Sequence, residues 1–127
     1  MAQILFIDDD PDTLATLQKA VELFGHRAIL ASSADEAFRV LEEEVTDLVV
    51  TDVALPDIDG INLVRKLRAR GIFRDLPVIV YSASQELDMN TQVQAAGAQA
   101  FIQKPIRLQD LREIIEQLTS PQFASQP

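Results

Sequence analysis

The stretch ILFIDDDP, residues 4–11, joins an unbroken apolar run to three carboxylates and a proline. Three later stretches have the same form, because an apolar run also ends in a polar residue in LVVTD (48–52), VIVYS (78–82) and FIQK (101–104). Unbroken apolar runs of this length are typical of parallel strands that helices cover on both faces of the sheet. The ligand site of such a sheet lies beyond the carboxyl ends of its strands, so the polar residues are predicted to meet there.

Amphipathic segments lie between these runs and divide the chain into five repeats of strand and helix. We predict strands at residues 4–7, 28–30, 48–50, 78–81 and 100–102, and helices around residues 14–24, 37–41, 61–67, 87–96 and 108–118. Gly25, Gly71 and Gly97 each follow a helical segment, where a residue in the left-handed conformation commonly closes the last turn. Repeated right-handed crossovers predict an α/β fold, doubly wound, with a five-stranded parallel sheet of order 2-1-3-4-5.

Length and composition favour one domain that does not bind DNA directly. The 127 residues suit a single core, and 20 Asp and Glu against 11 Lys and Arg give a formal net charge of -9. That charge repels nucleic acid and anionic lipid, and no apolar run is long enough for a membrane span or a signal peptide. We expect a soluble, cytoplasmic protein whose domain covers residues 1–118, followed by a flexible Ser-, Pro- and Gln-containing tail at 119–127.

The carboxylates at the strand ends indicate a metal site. Asp8 and Asp9 follow the first predicted strand and Asp52 ends the third, and three carboxylates gathered at one place repel one another unless a cation neutralises them. Mg²⁺ prefers such oxygen ligands. Asp10 is interpreted instead as the cap of the first helix, with Pro11 in its first turn. A solvated acidic loop without a metal stays open as the alternative.

Asp52 has a second candidate role as a nucleophile. A carboxylate can attack a phosphoryl group and form an acyl phosphate if a metal and nearby donors balance the charge on the transferring oxygens. Ser82 and Lys104, at the ends of the fourth and fifth strands, are donors of the right kind. Each taken alone is more often a loop residue or a solvated side chain. Their combination with Asp52 favours phosphoryl transfer.

From Gln3 to Leu118 the sequence resembles the receiver domain of two-component response regulators, the CheY-like family. The shared motifs are FIDDDPD (6–12), DLVVTDVALPDIDG (47–60), the pair Ser82-Ala83 and FIQKP (101–105). The resemblance implies a flavodoxin-like (βα)5 fold and phosphorylation of Asp52 by a histidine kinase or a histidine phosphotransfer protein. It also implies a Mg²⁺ site, whose ligands would be Asp8, Asp9, Asp52 and the backbone carbonyl of Ala54.

The same resemblance implies a conformational switch. Ser82 would move its hydroxyl to the phosphoryl group, the ring of Phe101 would turn into the vacated space, and Lys104 would contact another phosphoryl oxygen. The surface formed by the fourth helix, the fifth strand and the fifth helix would then change, and the Lys104-Pro105 peptide bond is expected to be cis. Phe101 stands where many relatives have Tyr, which excludes signalling through an aromatic hydroxyl. Ala54 is smaller than usual at its position, and we hypothesise that it exposes the acyl phosphate to water.

The function expected from this resemblance is a signalling switch, which is not an enzyme beyond its own phosphoryl uptake and hydrolysis. Its expected partners are the phosphodonor and a downstream protein target or a fused output domain, and we expect a monomer before phosphorylation. A Mg²⁺-dependent phosphatase or phosphotransferase of the haloacid dehalogenase type is one alternative, although Ala54 occupies the place of that class's second Asp. A phosphorylation-independent binding module is the other, although Asp8, Asp9, Asp52, Ser82 and Lys104 are all retained.

Three further polar residues receive structural interpretations. Asp57 and Asp59 are interpreted as loop and cap residues that lead into the third helix. His26 follows Gly25 and precedes the second strand, so we expect it at the surface rather than in catalysis.

Overall fold

A computed structural model of the chain describes residues 1–83 and 88–119, in which strands and helices alternate. The strands are β1 (Gln3–Ile7), β2 (Arg27–Ala31), β3 (Leu48–Asp52), β4 (Val78–Ser82) and β5 (Ala100–Gln103). The helices are α1 (Pro11–Leu23), α2 (Ala34–Glu43), α3 (Gly60–Ala69), α4 (Met89–Ala96) and α5 (Leu108–Leu118). A 3-10 turn over Gly71–Phe73 lies between α3 and β4.

The five strands form one parallel sheet in the order β2-β1-β3-β4-β5, which confirms the predicted fold class and strand order. Ile7 of β1 is paired with Thr51 of β3, and Asp52 is paired with Tyr81 of β4. This register brings the carboxyl ends of the three central strands to the same edge of the sheet. The residues that follow β1 and end β3 and β4 therefore share one site.

Two apolar layers cover the two faces of the sheet, because successive side chains of a strand point to opposite faces. On one face, Phe6, Val50 and Tyr81 pack against α1 and α5. On the other face, alternate strand residues such as Val49 and Val80 pack against α2, α3 and α4. Burial on both faces explains why β1, β3 and β4 are unbroken apolar runs in the sequence.

Most of the helix ends follow the sequence signals. Asp10 caps α1 by accepting a hydrogen bond from the N–H of Asp12, with Pro11 as the first helical residue. Gly25 has φ 90° and Gly97 has φ 111°, so both adopt the left-handed conformation predicted for them. The prediction for Gly71 is wrong, since α3 ends at Ala69 and Gly71 has no positive φ but opens the 3-10 turn.

The last two helices differ in detail from their predicted apolar faces. Leu108, predicted to belong to the apolar face of α5, is 45% exposed at the first residue of that helix. Leu87, predicted for α4, lies outside the described residues. Thr119 closes α5 by donating its N–H to the carbonyl of Ile115, but residues 120–127 are also outside the described ranges, so the tail and the boundary at 118 stay predictions. Among the described helices, none is long and apolar enough to cross a membrane.

Candidate functional site

Three carboxylates meet at the carboxyl edge of the sheet. One oxygen each of Asp8, Asp9 and Asp52 lies within 4.8 Å of the others. Asp8 is 1% exposed and Asp52 is 6% exposed, whereas Asp9 is exposed to solvent. Carboxylate oxygens are the ligands that hard divalent cations prefer, and an exposed Asp9 leaves a route for the ion. The donor set therefore fits Mg²⁺.

Lys104 places an amine against two of these carboxylates. Its Nζ atom lies 3.1 Å from Oδ2 of Asp52 and 3.6 Å from Oδ2 of Asp8. The backbone N–H of Lys104 donates to the carbonyl of Ser82 at 2.8 Å, which ties the segment after β5 to the end of β4. The peptide bond between Lys104 and Pro105 is cis. Lys104 and Asp52, which are 52 positions apart in the chain, thus form one charged group together with Asp8.

Burial sets the electrostatics of Asp52. Loss of solvent raises the pKa of its carboxyl above the ordinary value, and the negative charge of Asp8 acts in the same direction. The hydrogen bond and positive charge of Lys104 oppose this rise without cancelling it. The single amine therefore does not fully compensate the buried negative charge, and a divalent cation would supply the remainder.

The backbone around Asp52 fixes the direction of its side chain. The N–H of Ala54 donates to Oδ1 of Asp52 at 3.3 Å, and Ala54 itself is exposed beside the carboxylate. Gly60, the first residue of α3, donates its N–H to the carbonyl of Val53 at 2.7 Å. A Cβ atom at Gly60 would lie 2.2 Å from the carbonyl oxygen of Asp52. Only glycine allows α3 to begin so close to the strand that carries Asp52.

The loop between β3 and α3 contains Asp57 and Asp59, as predicted. Asp59 caps α3 as predicted, by accepting a hydrogen bond from the N–H of Asn62. Asp57 lies in the loop before α3, as predicted, and its two carboxylate oxygens also accept hydrogen bonds from the N–H groups of Ala34 and Asp35 at 3.0 and 2.8 Å, which the sequence did not predict. Asp57 therefore holds the loop that leads into α3 against the start of α2.

Tyr81 belongs to the site, and the sequence reasoning missed it. Its hydroxyl donates to Oδ2 of Asp8 at 2.6 Å, and Nζ of Lys104 lies 4.8 Å from the centre of its ring. Burial, followed by the hydrogen bond to Asp8, raises the pKa of Tyr81 well above its ordinary value, so the hydroxyl keeps its proton. A tyrosine in an otherwise apolar strand needs a partner for its hydroxyl, and this was the available signal.

Ser82 and Phe101 lie on the face of the sheet opposite to Tyr81. Ser82 ends β4 and is 5% exposed. Its side chain lies on the same face of the sheet as that of Val80, because side chains two positions apart in a strand point the same way. Phe101 is paired with Val80 and packs, half-buried, against the layer of α2, α3 and α4. Ser82 and Phe101 are thus diagonal neighbours on adjacent strands of one face.

A depression of about 600 Å³ opens beside this site. Asp12, Thr16 and Leu17 of α1 form one wall. Ala83, Lys104 and Pro105 form part of the opposite side. Because Lys104 lines the depression and contacts Asp52, a molecule bound there would lie next to the carboxylates.

The prediction that His26 lies at the surface is wrong. Its side chain is only 9% exposed, and its Nδ1 atom accepts a hydrogen bond from the N–H of Ala2 at 3.0 Å. Its Nε2 atom lies 3.7 Å from Oε1 of Glu116 on α5. His26 joins the amino terminus to α5, away from the cluster of Asp8, Asp9 and Asp52, and we interpret it as a structural residue.

Comparison with known proteins agrees with this geometry. The family model for the response regulator receiver domain matches residues 4–116. Transcriptional regulatory protein PrrA of Mycobacterium tuberculosis is 36% identical over 109 residues, which are 86% of this chain and 46% of that protein. Response regulator Rre1 of Synechocystis is 32% identical over 123 residues, which are 96% of this chain and 53% of that protein. The chain spans about half the length of these two relatives.

A solved structure extends the similarity to the whole described fold. The CheY-like response regulator receiver domain protein of Methanospirillum hungatei superimposes with a TM-score of 0.89 at 28% identity, covering 99% of both chains. Aspartate phosphorylation and Mg²⁺ binding are typical of this family. These similarities do not favour the phosphatase or the phosphorylation-independent alternative. The chain belongs to the response regulator receiver domain family, the signalling switches of two-component phosphorelays.

Proposed function

We propose that Asp52 accepts a phosphoryl group from a histidine kinase or a histidine phosphotransfer protein. The observation that carries this proposal is the 3.1 Å contact between Nζ of Lys104 and Oδ2 of Asp52 at the centre of the acidic cluster. A buried carboxylate with an amine beside it and a cation site around it combines a nucleophile with groups that balance the charge of a phosphoryl group.

The chain's own residues would perform the transfer as follows. A carboxylate oxygen of Asp52 forms a bond to phosphorus as the bond between phosphorus and the donor's histidine nitrogen breaks, and the leaving imidazole takes up a proton. The N–H of Ala54 holds Oδ1 of Asp52 and so limits rotation of the carboxylate. Lys104 offsets charge on a phosphoryl oxygen. Mg²⁺, held by Asp8, Asp9, Asp52 and the carbonyl of Ala54, would neutralise further charge on the transferring oxygens.

Phosphorylation would be read out on the surface formed by α4, β5 and α5. Ser82 turns its hydroxyl toward the phosphoryl group, and the ring of Phe101 moves inward on the same face of the sheet. The half-buried position of Phe101 and its diagonal placement to Ser82 support this coupling. The phosphoryl group acts by binding one of two existing arrangements more tightly, which is a population shift.

The depression between α1 and the segment after β5 is the proposed docking place of the phosphodonor. It borders Lys104, so a phosphodonor seated there would bring its phosphohistidine close to Asp52. A downstream target or a fused output domain would bind the α4, β5 and α5 surface instead. A monomeric state before phosphorylation and a cytoplasmic location stay predictions.

Intact-mass analysis after incubation with acetyl phosphate tests this function. With Mg²⁺ present we expect one phosphoryl adduct on the parent chain and none on Asp52→Asn. Asp35→Asn is the matched control, because Asp35 is exposed on α2 and pairs with Arg39; it should be modified like the parent. Equal modification of Asp52→Asn would contradict the assignment. A parent that forms no adduct and binds no beryllofluoride would favour a degenerate receiver.

A further inference from the structure

The hydroxyl of Tyr81 links β4 to the acidic cluster. It donates to Oδ2 of Asp8 at 2.6 Å, and both residues are buried, with Tyr81 0% and Asp8 1% exposed. A hydrogen bond to an ionised acceptor at this distance is among the stronger ones in proteins. The ring lies in the layer formed with α1 and α5, so the core fixes the position of the hydroxyl.

The remaining contacts of Asp8 show what this bond does. Oδ1 of Asp8 accepts the N–H of Asp10 at 2.9 Å, while Oδ2 also faces Nζ of Lys104 at 3.6 Å. The backbone donor and the hydroxyl hold different oxygens and thereby fix the plane of the carboxylate. An ionised carboxylate offers about four acceptor sites, so lone pairs remain for a cation or its water.

We propose that Tyr81 is a positioning residue of the metal site, whose hydroxyl fixes the Asp8 carboxylate in the orientation that holds a divalent cation. The inference rests on the proposed function in that it takes the three carboxylates as the cation's ligands. Hydrogen-bond partners of metal ligands orient those ligands, and their loss typically weakens metal binding or activity about 10- to 100-fold. Tyr81→Phe would keep the ring but remove the hydroxyl. Of the two contacts described for Oδ2 of Asp8, only the one with Nζ of Lys104 would then remain.

The alternative is that Asp8 only satisfies the hydroxyl of a buried core residue. In that case Tyr81→Phe would change the free energy of unfolding and leave metal affinity as it is. Thr51→Val is the matched control, because Thr51 is also 0% exposed and its hydroxyl donates to the backbone carbonyl of Asp52 rather than to a carboxylate. Both substitutions remove one buried hydroxyl close to the site.

Binding of Mn²⁺, followed through the electron paramagnetic resonance signal of the free ion, separates the two roles. Mn²⁺ takes the oxygen ligands that Mg²⁺ takes. We expect Tyr81→Phe to weaken Mn²⁺ binding about tenfold, and Thr51→Val to bind like the parent. Urea unfolding of each variant gives the change in stability separately, and circular dichroism checks that each is folded.

The outcomes separate this inference from the proposed function. A loss of affinity of about threefold or more in Tyr81→Phe, absent from Thr51→Val, supports the inference. A smaller loss, or an equal loss in Thr51→Val, overturns it while leaving the metal site in place. A parent chain that binds no Mn²⁺ overturns both the inference and the metal site of the proposed function.

Discussion

Gly60 lies so close to Asp52 that a Cβ atom on it would be 2.2 Å from the carbonyl oxygen of Asp52. The contact is with backbone, which cannot rotate away, so Gly60→Ala must shift either β3 or the start of α3. We expect the free energy of unfolding to fall by about 1–3 kcal/mol, the usual cost of forcing extra atoms into a packed site. The rate of phosphorylation by acetyl phosphate should fall as well, because Asp52, the proposed nucleophile, moves with its strand.

Gly71→Ala provides the comparison for this substitution. A Cβ at Gly71 would meet nothing within 4 Å, and Gly71 has no positive φ. We expect its stability to stay within about 0.5 kcal/mol of the parent. Urea unfolding of both variants measures the difference. Equal stabilities would show that the backbone at Asp52 shifts to accommodate the added Cβ atom without loss of stability.

Arg68 fastens the end of α4 to α3. Its guanidinium donates to the carbonyls of Gly97 and Phe73 and to Oε1 of Gln99, at distances of 2.8–3.0 Å. Arg68→Ala would remove its hydrogen bonds to the partly buried carbonyls of Gly97 and Phe73, whereas Oε1 of Gln99 keeps its bond from the N–H of Val78. We expect the free energy of unfolding to fall by about 2–3 kcal/mol. Hydrogen exchange should also speed up in α4.

Arg65→Ala removes the same charge from the same helix. Arg65 is exposed and donates to the side chain of Asn62, so its loss should cost less than about 0.5 kcal/mol. Equal losses for the two arginines would mean that the contact with Gly97 does not stabilise the fold.

The carboxyl group of Asp57 is expected to make the free energy of unfolding depend on pH. Burial acts to raise the pKa of its carboxyl, but the N–H groups of Ala34, Asp35 and Ile58 together outweigh it and hold the pKa below the ordinary value of 3.8. A folded-state pKa below the unfolded one gives stability that is present above the unfolded pKa and is lost as pH falls through the folded pKa. Asp57→Asn should therefore be less stable than the parent at pH 7.

The difference between these two proteins should shrink as the pH falls below about 4, where the carboxyl of the unfolded parent is protonated. Thermal unfolding at pH 7 and at successively lower pH measures it. A constant difference across that range would contradict a role for the charge of Asp57.

The small side chain of Ala54 leads us to expect a short-lived acyl phosphate on Asp52. Ala54 is exposed two residues after Asp52, and its single methyl group offers little volume to obstruct an approaching water molecule. We expect Ala54→Met to slow the loss of the phosphoryl group severalfold, because a larger side chain limits the approach of the attacking water. Ala69→Met, at the exposed end of α3, should decay like the parent. Equal decay of the Ala54 and Ala69 variants, followed by intact mass, would refute the idea.

The sequence predicted those parts of the site that follow from strand order. Asp8, Asp52 and Ser82 end or follow adjacent central strands, so the rule for parallel sheets brings them together without knowledge of side-chain geometry. Lys104 follows from the same rule at the end of β5. The fold was predictable for a related reason, since burial on both faces of β1, β3 and β4 leaves unbroken apolar runs.

Other features depend on contacts that no local pattern contains. Tyr81 was interpreted only as part of an apolar strand, although its hydroxyl reaches Asp8 across the sheet. Asp57 was correctly assigned to the loop before α3, but its hydrogen bonds to the start of α2 were not predicted. His26 was placed at the surface because its neighbours in sequence are loop residues, yet its side chain is only 9% exposed and contacts Ala2 and Glu116. In each case the partner is distant along the chain, and the three-dimensional path of the backbone decides the pairing.

The chain contains one tyrosine and no tryptophan, and that tyrosine is Tyr81. Its tyrosine fluorescence therefore comes from a single ring whose hydroxyl donates a hydrogen bond to Asp8, next to Lys104. Events at the acidic cluster that alter this hydrogen bond would change the brightness of the unlabelled protein. The fold thus places an intrinsic fluorophore on the strand next to the one that carries Asp52, and its emission would report changes at the site in real time without an attached dye.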